Sequence, residues 1–494
     1  FMLPYWNPYN ADGSLASEND GTWKGTGQNP IEWMANNPVE HKKYKLLSTV
    51  FADVTPLKNL TIHAQFGVDY AHSTSFMQSY PSYLINNKSG RAGRSTSDML
   101  NLTETLTANY RWALNDDHSF NFLLGQEGVD YRSAGFQVVT RGQTIDRLTN
   151  IASGTRASSW QDASTAYSYL SLFFRGEYNY KDLYYAEVAA RTDASSRFGK
   201  DHRWGAFWSL GFMWNIKNEV FLKDVEWLDN LKLRLSYGIT GNNNVGDYAT
   251  SYYTSGPSYA VIGGNEFQGY YGNGIIDQAL MWEKIKEFNF GVDFAVLQNR
   301  INITADAYRR LADGQIMKST VPLETGESSL TTNIGSVQNA GIELGVNFGV
   351  IRNQNFTWDV NVAFARNWSK IKELPSGDDV SNNWFIGERL NVLRDYTYAG
   401  VITADGVTMH TINGDKHYTL QEVYDKYGPK SPNKLKWYEG QMAVNDWNDD
   451  GKINDEDKQI YGCTDPKWTG SLSSTMTYKG FDFSFMLYTK QGQW

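Results

Sequence analysis

Leu231-Lys-Leu-Arg-Leu-Ser-Tyr-Gly-Ile239 constrains the fold of this chain more than any other stretch. Every odd position is apolar, and the even ones are Lys, Arg, Ser and Gly. A period of two gives a strand one greasy face and one polar face, because successive strand side chains point to opposite sides. The pattern recurs. Phe288, Phe290, Val292, Phe294 and Val296 alternate with Asn289, Gly291 and Asp293, and Ile342, Leu344, Val346, Phe348 and Val350 alternate with Glu343, Gly345 and Asn347. Phe356, Trp358, Val360, Val362 and Phe364 make another such row, as do Phe481, Phe483, Phe485 and Leu487. Read this way throughout, the chain predicts about fourteen strands of roughly 8 to 12 residues, long enough to cross a bilayer when tilted.

The connections sort into two kinds. Short ones are predicted around Pro56, at Lys181, at Leu297 to Arg300, at Arg352 to Asn355 and at Lys479-Gly480. Long, polar, Gly- and Tyr-rich segments are predicted at 71–100, 127–166, 240–283, 310–340 and 367–467. Short turns on one side and long loops on the other are the layout of an outer-membrane barrel. A soluble sandwich or propeller also alternates, but its strands run shorter, at about 5 or 6 residues. No run approaches the length of an apolar membrane helix. The mean hydropathy of −0.51 is compatible with a barrel, which turns only alternate residues to lipid. The fold class is therefore all-β, a transmembrane antiparallel β-barrel with long extracellular loops.

Charge and cysteine content narrow the function. With 45 Lys+Arg against 54 Asp+Glu and a net charge of −9, the chain lacks the basic surplus that grips nucleic acid. Cys463 is the sole cysteine, so neither an intrachain disulfide nor a Cys-based zinc site can form. Neither GxSxG nor HExxH occurs, and Gly241-Asn-Asn-Asn-Val-Gly246 continues with Asp247 where a phosphate loop needs Lys. His63, on the polar face of a strand, reads as a satisfied lumen residue. The chain is not expected to be an enzyme.

Residues 175–224, RGEYNYKDLYYAEVAARTDASSRFGKDHRWGAFWSLGFMWNIKNEVFLKD, and 227–248, WLDNLKLRLSYGITGNNNVGDY, resemble the SusC/RagA-type TonB-dependent outer-membrane transporters of Bacteroidetes. The resemblance continues through 282–310, 335–349 and 465–488, and covers most of the chain from about residue 29. It implies a 22-stranded barrel with a plugged lumen, of which this chain holds a part. It also implies active import of a bulky nutrient, energised through TonB, beneath a SusD-like surface lipoprotein. An oligosaccharide is the favoured cargo and a peptide the alternative, with a passive porin or a surface adhesin as rival classes. No segment resembles the N-terminal plug or the TonB-contacting motif, and Phe1 follows no signal peptide. The chain thus reads as the barrel region of a longer protein.

One motif points to a metal. In DWNDDGKINDED (446–457), Asp446, Asn448 and Asp450 stand at calcium-loop positions 1, 3 and 5, and Gly451 stands at the sharp turn. Lys452 would ligate through its carbonyl, Asn454 through a water, and Asp457 would close the set, with Asp where an EF-hand has Glu. Ile453 is expected to pack inward. The ion would be structural calcium, ordering a loop with little core of its own; the alternative is a solvated acidic turn. Most aromatics are expected in the interfacial girdle. Tyr252, Tyr253, Tyr270, Tyr271 and Trp384, in long loops, are candidates for stacking on a sugar ring or peptide, against a plain loop-packing role.

Overall fold

The computed structural model describes residues 6–25, 27–83, 86, 88–148, 150–251, 254–262, 265–272, 274–428 and 437–493, with backbone alone over 254–262 and 265–272. Fourteen strands form one antiparallel sheet in simple meander order. They are β1 Val39–Leu57, β2 Leu60–Ser79, β3 Gly90–Ala113, β4 His118–Gln143, β5 Arg156–Tyr180, β6 Tyr184–Ser195, β7 Trp204–Asn215, β8 Leu228–Asn242, β9 Glu283–Val296, β10 Ile301–Asp313, β11 Ser336–Arg352, β12 Phe356–Glu373, β13 Trp468–Tyr478 and β14 Phe481–Gln491. Among the described residues the two edge strands, β1 and β14, each pair with one neighbour.

The register separates the two faces. Trp112, Phe120, Tyr178, Ala186, Phe212, Leu235 and Phe290 stand opposite one another across β3 to β9. Displaced by one residue, Arg111, Asn121, Glu177, Glu187, Gly211, Ser236 and Asn289 make the next row on the same strands. The first row faces lipid and the second a watery lumen. Along the lipid face near the short turns, rings stack in series: Trp112 on Phe120 at 5.1 Å, Phe120 on Tyr178 at 4.9 Å and Tyr184 on Trp214 at 6.2 Å. That is the expected aromatic girdle.

The tight turns use left-handed backbone. Lys479 and Gly480 have φ of 44° and 92°, the two-residue arrangement whose twist matches the strands it joins, and glycine takes the second position without strain. The connection between β7 and β8 is longer, with a 3₁₀ turn at Ile216–Asn218.

Two sequence-based boundaries need correction. β2 to β5 are 20 to 26 residues long rather than 8 to 12. The expected loop at 71–100 shrinks to 80–89, and that at 127–166 to 144–155. Beyond the lipid a strand needs no apolar face, only its ladder of backbone hydrogen bonds, so polar runs such as Ser95-Thr-Ser-Asp98 continue the strand without alternation. Of the other long segments, 243–282 and 314–335 contain the hairpins 254–272 and 316–333. The last loop spans 374–467 because β12 runs on to Glu373.

That last loop is a small folded module, contrary to the expectation of little core. Ile402, Val407, Met409, Tyr418, Val423, Tyr427, Trp437 and Ala443 form a buried cluster of their own. Three short strand pairs frame it, 392–395 with 459–463, 398–401 with 442–444, and 407–411 with 414–418. A helix, Leu420–Tyr427, closes it, started by a capping box between Thr419 and Glu422. The buried Asn445 ties the pieces together: its Oδ1 accepts from the His410 amide at 2.8 Å and its Nδ2 donates to the Thr397 hydroxyl at 2.7 Å.

Candidate functional site on the lumen wall and the extracellular module

The lumen face carries paired charges at mid-strand. Arg234, on β8, reaches across two strands and grips two carboxylates at once. It donates to Asp293 at 2.9 and 3.2 Å and to Asp306 at 3.1 Å through both of its outer nitrogens. Such bidentate pairs fix geometry as well as charge. Arg175 pairs with Glu187 at 2.8 Å and with Glu177, and Arg310 pairs with Glu287 at 2.6 Å. His63 sits 2.8 Å from Asp53, a satisfied lumen residue as expected. A cavity of about 680 Å³ opens along this wall, lined by Arg111, Asn121, Glu177, Glu187, Arg234 and Asn289 among others. The wall offers polar, charge-balanced contacts to something that passes or sits inside.

Higher on the same face, Tyr131 stacks on Tyr167 at 4.6 Å. The Arg197 guanidinium lies 4.2 Å from the Tyr167 ring and is held by Asp247 at 2.8 Å. With one neighbour a ring and the other a guanidinium, Tyr167 pins the 196–203 and 243–250 segments to the wall. The sequence carries no sign of these partnerships, which join residues far apart in the chain, and it places Tyr131 and Asp247 in expected loops at 127–166 and 240–283.

In the 446–457 loop the structure brings some of the candidate ligands together. Asp446 and Asp457 are fully buried. Asp446 accepts from the amides of Asp450 at 3.2 Å and Gly451 at 2.8 Å, and from the Tyr427 hydroxyl. Asp457 accepts from the amides of Asn454 at 2.8 Å and Asn448 at 3.4 Å. Gly451 turns with φ of 79° and Ile453 packs on the module core. Among the described residues the loop's ion pairs go to Asp449, from Lys416 at 2.5 Å and Lys426 at 3.5 Å, and to Asp455, from Lys458 at 2.8 Å, rather than to the buried pair. Burial first, and the neighbouring Asp446 carboxylate as well, push the Asp457 carboxyl above its usual range. Burial and Asp449 push the Tyr418 phenol up to about 12.

Asp450 is turned elsewhere, exposed and accepting from the Lys452 amide at 2.8 Å, while Asn448 donates to Glu456 at 3.1 Å. Among the described residues, no three His, Cys, Asp or Glu side chains converge as a metal-holding group. The oxygen-only donors and the two buried, mutually repelling carboxylates fit a hard cation; the arrangement shown supplies two of the three carboxylates.

Trp384 is half-buried against Val337, Ile371 and Leu374, at the base of the last loop. Tyr252 and Tyr253 lie outside the described residues, as do the side chains of Tyr270 and Tyr271.

Comparison with known proteins matches residues 3–494 to the family described as TonB dependent receptor-like, beta-barrel. The TonB-dependent receptor SusC of Bacteroides thetaiotaomicron is 31% identical over 500 residues, covering 99% of this chain and 47% of the relative. The TonB-dependent receptor P39 of Formosa agariphila is 31% identical over 406 residues, covering 76% of this chain and 38% of the relative. Among solved structures, the RagAB peptide transporter superposes with a TM-score of 0.82 at 23% identity, over 99% of this chain and 52% of that one. The chain spans about half the length of the curated relatives it matches.

Proposed function

Because the chain belongs to the TonB dependent receptor-like β-barrel family, we propose that it forms barrel wall in an active importer of a bulky, polar nutrient across the outer membrane. The observation that carries this reading is the pair of adjacent rows on β3 to β9, apolar toward lipid and polar toward a lumen with balanced charges. Such a wall moves cargo without bond chemistry. Energy reaches it through TonB, acting on parts of the protein outside this chain, and a SusD-like lipoprotein covers the extracellular end. The cargo is an oligosaccharide. The fold likeness to a peptide transporter makes peptide the second reading.

Calcium belongs to the same proposal. Asp446 and Asp457 hold the ion between them, and Asn448, Asp450, the Lys452 carbonyl and Asn454 complete the set, fixing the module that faces the lid. The loop would bind in the extracellular range of roughly 0.1 to 1 mM. Terbium, a calcium mimic, excited through Trp447, should luminesce with the intact protein, and Asp446→Asn with Asp457→Asn should abolish the signal.

Transport is tested with the full-length protein in its host, following labelled oligosaccharides and peptides. Uptake that survives collapse of the proton gradient would remove active import. Saturable uptake of peptides alone would replace the cargo.

A further inference from the structure

We propose that the connection between β7 and β8 is a membrane anchor, seating Val220 and Phe221 in the periplasmic leaflet of the bilayer. Where the other short turns spend a few residues, this one spends twelve, 216–227. It is built rather than slack. The Lys217 ammonium donates to the carbonyls of Leu222 at 3.1 Å, Lys223 at 3.1 Å and Val225 at 2.7 Å, closing the loop on itself. Asn218 donates to the Asp182 carbonyl at 3.2 Å, fastening it to the neighbouring turn. From this fixed frame Val220 projects with 88% of its surface exposed and Phe221 with 67%.

Two large apolar side chains held outward by a rigid frame need a partner, since scattered exposure is ordinary but a preorganised pair is not. The lipid girdle supplies the direction. Glu219, the residue before them, accepts from the Tyr184 hydroxyl at 2.6 Å and from the Trp214 indole at 3.0 Å. Tyr184 and Trp214 are paired on the lipid-facing side, stacked 6.2 Å apart in the girdle. The frame therefore hangs from the membrane interface itself, and Val220 and Phe221 continue the apolar surface below it. Trp227, 58% exposed, and Leu297, 52% exposed, extend that rim toward the next turn, where the Leu297 amide donates to the Trp227 carbonyl at 3.0 Å. Lys223, Asp224 and Glu226 are exposed on the same connection and suit the water side. Short turns lie on the periplasmic side of such barrels, so the lipid reached is the inner leaflet. Aromatic and aliphatic side chains at this depth bury into the boundary between headgroup and acyl chain.

The test uses full-length protein with Cys463→Ser, reconstituted in phosphatidylethanolamine–phosphatidylglycerol vesicles. Val220→Cys, Phe221→Cys and Asp224→Cys are each spin-labelled and challenged with oxygen and with a water-soluble nickel chelate. At positions 220 and 221 the label should relax with oxygen several-fold more, relative to nickel, than at 224. The two sites are measured as separate variants, so that failure of one to fold leaves the other. Equal nickel access at 220, 221 and 224 would mean that the connection hangs in water and would overturn the anchor. Exclusion of both reagents from 220 and 221 would mean that protein covers them and would overturn it equally.

Discussion

Arg234 and Leu235 are neighbours in sequence and opposites in environment. Leu235 lies between Phe212 and Phe290 in the lipid-facing row, so Leu235→Arg should cost about 2 to 4 kcal/mol of barrel stability near mid-bilayer. Arg234→Leu adds no charge to lipid but leaves Asp293 and Asp306 facing each other on the lumen wall, at a cost of about 1 to 3 kcal/mol. Arg234→Lys should recover part of that loss, lacking the fork that grips both carboxylates. Urea unfolding of the reconstituted protein measures all three, and a Leu235→Arg variant as stable as the parent would contradict the assignment of faces. Asp457 supplies a pH test. Its carboxyl is raised by burial and by Asp446, so the metal-free module keeps this proton to a higher pH than the unfolded chain does. That contribution is present at acid pH and lost as pH rises through the raised value. A cation would displace the proton. Calcium titrations in weak acid should therefore release protons, seen as heats that change with the buffer's ionisation enthalpy, and Asp457→Asn should abolish both the release and the binding. Buffer-independent heats would argue against calcium between these carboxylates.

At the scale of elements, the legible parts were those where lipid enforces alternation. β8, β9, β11, β12 and β14 were recognisable because one face must be apolar over the span that crosses the membrane. The upper halves of β3 to β5 were not, since in water their Ser- and Thr-rich faces carry no period even though the ladder is unbroken. The module at 374–467 was hidden for another reason: its strands are 3 to 5 residues long and pair across as many as 71 positions, from Val392 to Cys463. The calcium-type spacing was visible because it is local, whereas the Tyr427 contact that steadies Asp446 is supplied by a helix ahead of the loop. Because the module has its own core, its stability should separate from that of the sheet. Val423 is fully buried there, and Val423→Asp would place an unpaired carboxylate among apolar groups, at several kcal/mol. Trypsin should then cut within 374–467 while the barrel keeps its heat-modifiable mobility on a denaturing gel. Loss of that mobility together with the module would show that the two fold as one unit.

The whole sheet poses a problem that no single strand does. β1 exposes its full 19 residues and β14 nearly all of its 11, and among the described residues neither has a second neighbour. In water an open edge is a liability; in hydrocarbon it is prohibitive, since each unpaired amide or carbonyl there costs several kcal/mol. With roughly ten residues of each strand inside the bilayer, about half of the backbone groups point outward, so the two edges together would forfeit tens of kcal/mol. A net stability of about 5 to 15 kcal/mol cannot absorb that. Each edge therefore has to find a partner in the membrane, either in further strands or in the other edge; the chain spans about half the length of the relatives it matches. A segment comprising residues 39–491, produced alone and refolded into detergent or vesicles, should give no monomeric, heat-modifiable band and should associate edge to edge, whereas the full-length protein should give that band. A stable monomer from the segment would mean that β1 and β14 close on each other, and that the lumen is that of a fourteen-stranded pore.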